Sequence, residues 1–230
     1  MYRVLVAPDA KAALFDEFAV VGKAFANGRR AELVDVLAQG ERGVEALAGQ
    51  IGQSVANTSQ HLQVLARAGL VTSRRDGNRV LYRLADEQVE ALWETLRAVA
   101  AANVSGVRRA ADEYLGDREG LEQVSRDELA RRMAEGALVW DIRPASEYEA
   151  GHVPGAISVP PDEVQRRLDD VPDGVEVVAY CRGRFCVYAD DAVRALVAAG
   201  RRAVRLDEGF PEWRRAGLPV AVGTDWRSDP

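Results

Sequence analysis

Hydrophobic positions in the first half of the chain recur at helical spacing, whereas in the second half short apolar runs alternate with helical stripes. From Lys11 to Ala26, residues Leu14, Phe15, Phe18, Val21 and Phe25 share a face, and Asn27-Gly28 breaks the pattern. Arg29 to Ala38, carrying Leu33, Val34, Val36 and Leu37, predicts a second helix stopped at Gln39-Gly40. Gly43 to Gln50 predicts a short third helix, and Ser54 is a good N-cap for a fourth running to Arg67. A short helix, a turn and a capped helix make a helix-turn-helix. Two strand-like runs then flank a turn at Asp76-Gly77 or Gly77-Asn78, which predicts a β-hairpin. Asp86 to Tyr114 reads as one long helix through Val89, Leu92, Trp93, Leu96, Val99 and Ala100.

Leu115 to Gly120, with two glycines and several charges, reads as a hinge. Ser125 and Glu128 form a capping-box pattern that opens a helix to Glu135. Short apolar runs at 137–140, 156–159, 175–180 and 203–206 predict buried strands. Helical stretches follow at 144–150, 161–168, from Val187 to Gly200, and at 209–217. This alternation predicts an α/β domain with a mostly parallel sheet and ligands at the carboxyl ends of its strands. The first half is expected to be α+β. The domain spans expected are 11–114, a linker at 115–124, and 125–224.

With 230 residues, 47% hydrophobic and 29% charged, the chain fits two ordinary globular domains. No apolar run reaches the length of about 18 residues that a membrane helix needs. The apolar run at the N-terminus is too short for a secretory signal, so a cytoplasmic protein with no membrane partner is expected. Its two cysteines are then expected to be reactive, not structural. The net charge of −6 argues against nucleic acid until its distribution is considered. The first 115 residues hold 14 basic and 14 acidic side chains, the remainder 16 and 22. From Arg67 to Arg83 there are five arginines and one acid, a basic finger able to meet phosphates at Arg74, Arg75 and Arg79. In the fourth helix Val55, Thr58, Leu62 and Leu65 take the inner spacing. Asn57, Ser59, Gln60 and Gln63 are left facing outward with the donors and acceptors that base edges need.

Both cysteines lie in the loop Cys181-Arg182-Gly183-Arg184-Phe185-Cys186, between a predicted strand and a predicted helix. A thiol there meets converging backbone N–H groups and a helix N-terminus. With Arg182 and Arg184 beside it, Cys181 is expected to ionise below the ordinary thiol value of about 8.5 and to act as a nucleophile. Cys186 stands at the other end of the loop, either as a resolving thiol or as a small residue filling space.

The segment from Asp141, Ile142 and Arg143 through Glu147-Tyr148 to Gly151-His152-Val153-Pro154-Gly155-Ala156, followed by the cysteine loop, resembles the signature of rhodanese-type sulfurtransferases. That resemblance implies a rhodanese-like domain in which Cys181 is loaded as a persulfide, with Asp141 and Arg143 in support. Related phosphatases need an arginine six positions after the cysteine, where this chain has Val187. Residues 11–105 resemble the ArsR-type winged-helix repressors through Ser54 to Val71 and the arginine-rich hairpin. By that resemblance the first half is a winged helix-turn-helix. Asn57, Ser59 and Gln60 enter the major groove of double-stranded operator DNA, Arg74, Arg75 and Arg79 hold its backbone, and the last helix pairs the chain as a homodimer. ArsR-type metal sensors place cysteines in the third helix or histidines and acids in the last. Residues 1–115 have no such set, so neither a metal nor a cofactor is expected.

Together the two resemblances imply a dimeric repressor whose second domain reads a sulfane-sulfur donor. Two other readings stand beside it: a sulfurtransferase with an accessory DNA-binding domain, and a repressor responsive to arsenite or another soft metal through Cys181 and Cys186.

Overall fold

The computed structural model describes residues 8–223, in two compact units divided between Val99 and Ala100. In the first, α1 (Pro8–Phe25) and α2 (Gly28–Leu37) precede a two-residue strand β1 (Arg42–Gly43), α3 (Val44–Gln50) and α4 (Val55–Arg67). Strands β2 (Val71–Asp76) and β3 (Arg79–Leu84) form the expected antiparallel hairpin, and β1 adds to β3 as a third strand. Asp76 pairs with Arg79, so the turn is Gly77-Asn78, and Gly77 takes φ +58, which glycine adopts without cost. Ser54 caps α4 as predicted, its Oγ accepting the Asn57 N–H at 3.2 Å.

Thr58, Leu62 and Leu65 turn inward from α4 onto Leu33, Val34, Leu37, Leu47 and Ile51. Val55, expected inside, is exposed. The long helix expected from Asp86 to Tyr114 is two helices, α5 (Glu87–Asn103) and α6 (Ser105–Leu115). The break falls at Val104, whose backbone is extended (φ −102, ψ 105). The apolar periodicity runs on across the break, so spacing alone does not reveal it. Phe25 stacks on Trp93, and Trp93 and Arg97 both donate to Asp35, which fixes α5 on the core of its unit.

The second unit contains a five-stranded sheet in the order β4 (Gln123–Val124), β8 (Arg202–Leu206), β7 (Glu176–Tyr180), β5 (Leu138–Asp141), β6 (Ile157–Ser158), with every pair parallel. Between the strands run α7 (Arg126–Ala134), α8 (Ala145–Ala150), α9 (Val164–Arg167) and α10 (Tyr188–Ala198), and α11 (Phe210–Arg215) follows the last strand. Central β7 is the apolar run expected at 175–180, with Val177 to Tyr180 fully buried. Apolar side chains pack on both faces of the sheet. Strand β7 therefore delivers Cys181 at its carboxyl end, at the start of the loop that leads to α10. Among the described residues no helix is long and apolar enough to cross a membrane.

Candidate thiol site and nucleic-acid surface

Both cysteines are reduced and buried, Cys181 at 2% exposure and Cys186 at 8%. Each sulfur bears on the ionisation of the other. The Cys181 thiol also lies 3.9 Å from the Gly183 carbonyl and 3.8 Å from the Cys186 carbonyl. Backbone hydrogen bonds at Ala189 and Gly183 favour charge on Cys181, and those at Arg182 and Tyr188 favour it on Cys186. The expected convergence of amides is thus present at both sulfurs. The expected depression of the Cys181 pKa is not. Burial, and then the neighbouring sulfur, push the Cys181 thiol well above its ordinary value. Cys186 is held below its own, chiefly by the neighbouring Cys181 sulfur. The pair holds a single negative charge more readily than two, and Cys186 gives up its proton more readily than Cys181.

The two arginines expected to assist Cys181 are both matched by acids. Arg182 donates from Nε to the Glu147 carboxylate at 3.0 and 3.1 Å. Burial works against its charge, yet the Glu147 pair raises its pKa. Arg184 faces Asp207 at 3.1 Å and is largely exposed, while Phe185 is half-buried. Asp141 and Arg143 pair with one another inside the unit, Nε to Oδ1 at 2.9 Å and Nη2 to Oδ2 at 2.5 Å. Arg143 also donates to the Gly151 carbonyl at 2.7 Å, and the Tyr180 hydroxyl donates to Asp141 at 2.5 Å. This buried set joins the end of β5, the end of β7 and the turn after α8. His152, stacked on Tyr148 with Nδ1 at 2.8 Å from its carbonyl, completes that turn.

Four residues outside the predicted site shape the loop. Glu147 anchors Arg182 across the sheet. Gly209 lies so close behind the loop that a Cβ there would sit 2.2 Å from the Gly183 nitrogen and 2.4 Å from the Arg182 carbonyl carbon. Glu212 accepts the Gly209 N–H at 3.0 Å, and a Cβ on Gly183 would meet its carboxylate at 3.2 Å. Arg118, in the segment expected to be a hinge, donates to the Arg184 carbonyl at 2.9 Å and the Asp190 carboxylate at 2.6 Å. That segment is therefore bound to the α/β unit. Glu147 was marked in the sequence as part of the upstream motif; the other three carry no local signal.

In the first unit Asn57, Gln60 and Gln63 are exposed on α4 and Ser59 is half-buried. Arg75 and Arg79 are exposed at the tip of the hairpin. Arg74, expected to hold DNA backbone, is also exposed but donates from Nε to both oxygens of Glu41 at 2.9 Å, and this pair raises its pKa.

A helix-turn-helix with a basic hairpin, and an α/β unit presenting a cysteine loop after its central strand, together define a regulator of two-part design. The profile of the bacterial regulatory proteins of the arsR family matches residues 27–73, and that of the rhodanese-like domain matches residues 125–216. Over 94% of its length the chain is 48% identical to the HTH-type transcriptional regulator Rv0324 of Mycobacterium tuberculosis, covering 95% of that protein. The chain belongs to this family of HTH-type transcriptional regulators, with an arsR-family helix-turn-helix and a C-terminal rhodanese-like domain. Its second half is 30% identical to a sulfurtransferase of Allochromatium vinosum, over 44% of this chain and 96% of that one. The homodimeric winged helix-turn-helix DNA-binding domain of a possible ArsR-family regulator from Mycobacterium bovis is 46% identical, covers 45% of this chain and 95% of that one, and has a TM-score of 0.41.

Proposed function

We propose that this regulator is a dimeric, operator-binding repressor whose rhodanese-like domain senses sulfane sulfur at Cys181. One observation carries the reading: two reduced, buried thiols share one loop at the carboxyl end of the central strand, with the Cys181 thiol 3.8 Å from the Cys186 carbonyl. Cys186, the more acidic of the two, takes the proton of Cys181 as Cys181 attacks the outer sulfur of a hydropersulfide R–S–SH. The S–S bond of the donor breaks, a new S–S bond forms on Cys181, and R–S⁻ takes the proton back from Cys186 and leaves as R–SH. Backbone amides offset the charge of the resulting persulfide. Cys186 can then attack the inner sulfur, closing a Cys181–Cys186 disulfide and releasing hydrogen sulfide.

Charge pairing in the loop favours this class of donor over thiosulfate. A dianion needs cations to receive it, and Arg182 and Arg184 already face Glu147 and Asp207.

In the first unit, Asn57, Ser59, Gln60 and Gln63 read base edges while Arg75 and Arg79 grip phosphates, with Arg74 joining them when Glu41 releases it. Exposed Leu14, Phe15 and Phe18 on α1, and Leu92, Leu96 and Val99 on α5, supply the apolar surface of a homodimer. A two-fold pair then presents two copies of α4 to related half-sites.

The test is intact-mass measurement after exposure to glutathione hydropersulfide, beside titration of DNA duplexes selected by the wild-type protein from a random library. Wild type is expected to gain sulfur and to change its DNA affinity by about 5- to 150-fold. Cys181→Ser is expected to do neither. Identical DNA affinity before and after loading of the wild type overturns the reading. The match to a sulfurtransferase favours a second one, an enzyme carrying a DNA-binding domain. Multiple turnover of sulfur to an acceptor thiol, with DNA binding unmoved, would select it.

A further inference from the structure

The segment 115–121 carries one side chain that reaches the cysteine loop from outside it. Arg118 donates from Nε to Asp190 at 2.6 Å, from Nη1 to the Arg184 carbonyl at 2.9 Å and from Nη2 to the Cys186 carbonyl at 3.4 Å. Asp190 is fully buried at the start of α10 and faces Arg205 on its other oxygen at 3.2 Å. The Cys186 carbonyl is also an acceptor for the Cys181 thiol, at 3.8 Å. One oxygen thus meets both the guanidinium and the sulfur. The segment is secured on either side of Arg118: Arg194 donates to the Asp117 carbonyl at 2.6 Å, and Leu121 packs on the core that contains both cysteines. Just before it, Tyr114 lies within electrostatic reach of both sulfurs.

We infer that Arg118 is the positioning residue that holds the cysteine loop closed, and that sulfur on Cys181 loosens this hold and so alters segment 115–121. The closing role stands on the geometry alone; the response to sulfur rests on the persulfide reading above. The physical reason lies in the two carbonyls. As a thiol, Cys181 is placed to donate to the Gly183 and Cys186 oxygens. A hydropersulfide is longer by one sulfur atom and more acidic than the thiol. Once ionised it donates to neither oxygen and repels both. With both donated hydrogen bonds lost and one more sulfur atom to seat at a position only 2% exposed, the loop turns. Turning it moves the Arg184 and Cys186 carbonyls, which are two of the three acceptors of Arg118. Segment 115–121 is covalently continuous with α6 and, through Val104, with α5, whose exposed apolar side chains were assigned above to the homodimer.

The experiment compares full-length wild type, Arg118→Ala and Arg118→Lys. Iodoacetamide alkylation of each cysteine is followed by peptide mass against pH. Hydrogen exchange at 114–122 is measured before and after glutathione hydropersulfide. In Arg118→Ala, Cys181 is expected to alkylate about tenfold faster, with its pH midpoint moving down toward the ordinary thiol value as burial is relieved. Arg118→Lys keeps the charge facing Asp190 but cannot bridge two carbonyls, and falls between. Loading the wild type is expected to speed exchange at 114–122 about fivefold, and loading Arg118→Ala to add nothing further. Equal alkylation rates and pH midpoints in wild type and Arg118→Ala overturn the closing role. If Arg118→Ala melts well below wild type, Arg118→Lys decides by the same readout. Sulfur uptake with unchanged exchange at 114–122 overturns the relay and leaves persulfide sensing intact. No sulfur uptake by the wild type overturns persulfide sensing and the relay with it, while the alkylation profile still judges the clamp.

Discussion

The hairpin of the first unit and the cysteine loop of the second both carry arginines, and they differ in what surrounds the charge. At the hairpin of the first unit, Arg75 and Arg79 lie on the strands beside a two-residue turn and are exposed to solvent. In the cysteine loop, Arg182 is held by the buried Glu147 and Arg184 faces Asp207. Both turns look alike in composition. One offers charge to a partner, and the other uses charge to hold its own backbone. Counting arginines near a thiol therefore overstates how far they lower its pKa, because a paired guanidinium beside a carboxylate is nearly neutral at a distance.

The sharpest test of that contrast is steric. Gly209→Ala puts a methyl where the cysteine loop already lies, 2.2 Å from the Gly183 nitrogen, and is expected to cost about 3 kcal/mol in urea unfolding of the rhodanese-like domain. Gly77→Ala in the hairpin meets open space, and its φ of +58 is expected to cost only about 1 kcal/mol. Equal costs would remove the distinction between a packed loop and a solvated one.

Next comes the order of alkylation. At neutral pH Cys186 is expected to react about tenfold faster than Cys181 in the reduced protein, since Cys186 gives up its proton more readily and burial holds that of Cys181. Peptide mapping after brief iodoacetamide exposure decides this, and Cys181 reacting first would refute it. The same shift fixes a pH dependence. Below the ordinary thiol value of about 8.5, folded and unfolded chains both keep Cys181 protonated, and its contribution is intact. Above it the unfolded chain ionises first, so stability falls as pH rises toward the raised folded pKa. Urea midpoints for wild type are expected to decline above that pH more steeply than those for Cys181→Ala.

The smallest effects belong to the exposed hairpin. Arg75→Ala and Arg79→Ala are each expected to weaken DNA binding severalfold on all sequences alike, and each to lower the salt slope by about one. Arg74→Ala is expected to do less at low salt, because Glu41 already accepts from that guanidinium. Titration at several salt concentrations separates the three.

Most of the architecture was legible in the sequence because its signals are local. The Ser54 cap, the glycine turn of the hairpin, the inward spacing of Thr58, Leu62 and Leu65, and the run before Cys181 each lie within a few residues of what they determine. The two-residue strands β1 and β4 were not legible, since so short a run carries no periodicity. Neither was the break at Val104, which the hydrophobic spacing crosses without interruption.

What the sequence determined by itself was the pair of domain types, the order of their elements and the placing of both cysteines in one loop after the central strand. Only the tertiary structure decided how that loop behaves. Arg182 and Glu147 lie 35 positions apart, and Arg118 and Asp190 72 apart. Gly209 meets Gly183 from a different turn. Whether a thiol ionises depends on the atoms that displace water around it, and those come from segments whose distance along the chain says nothing of their distance in space.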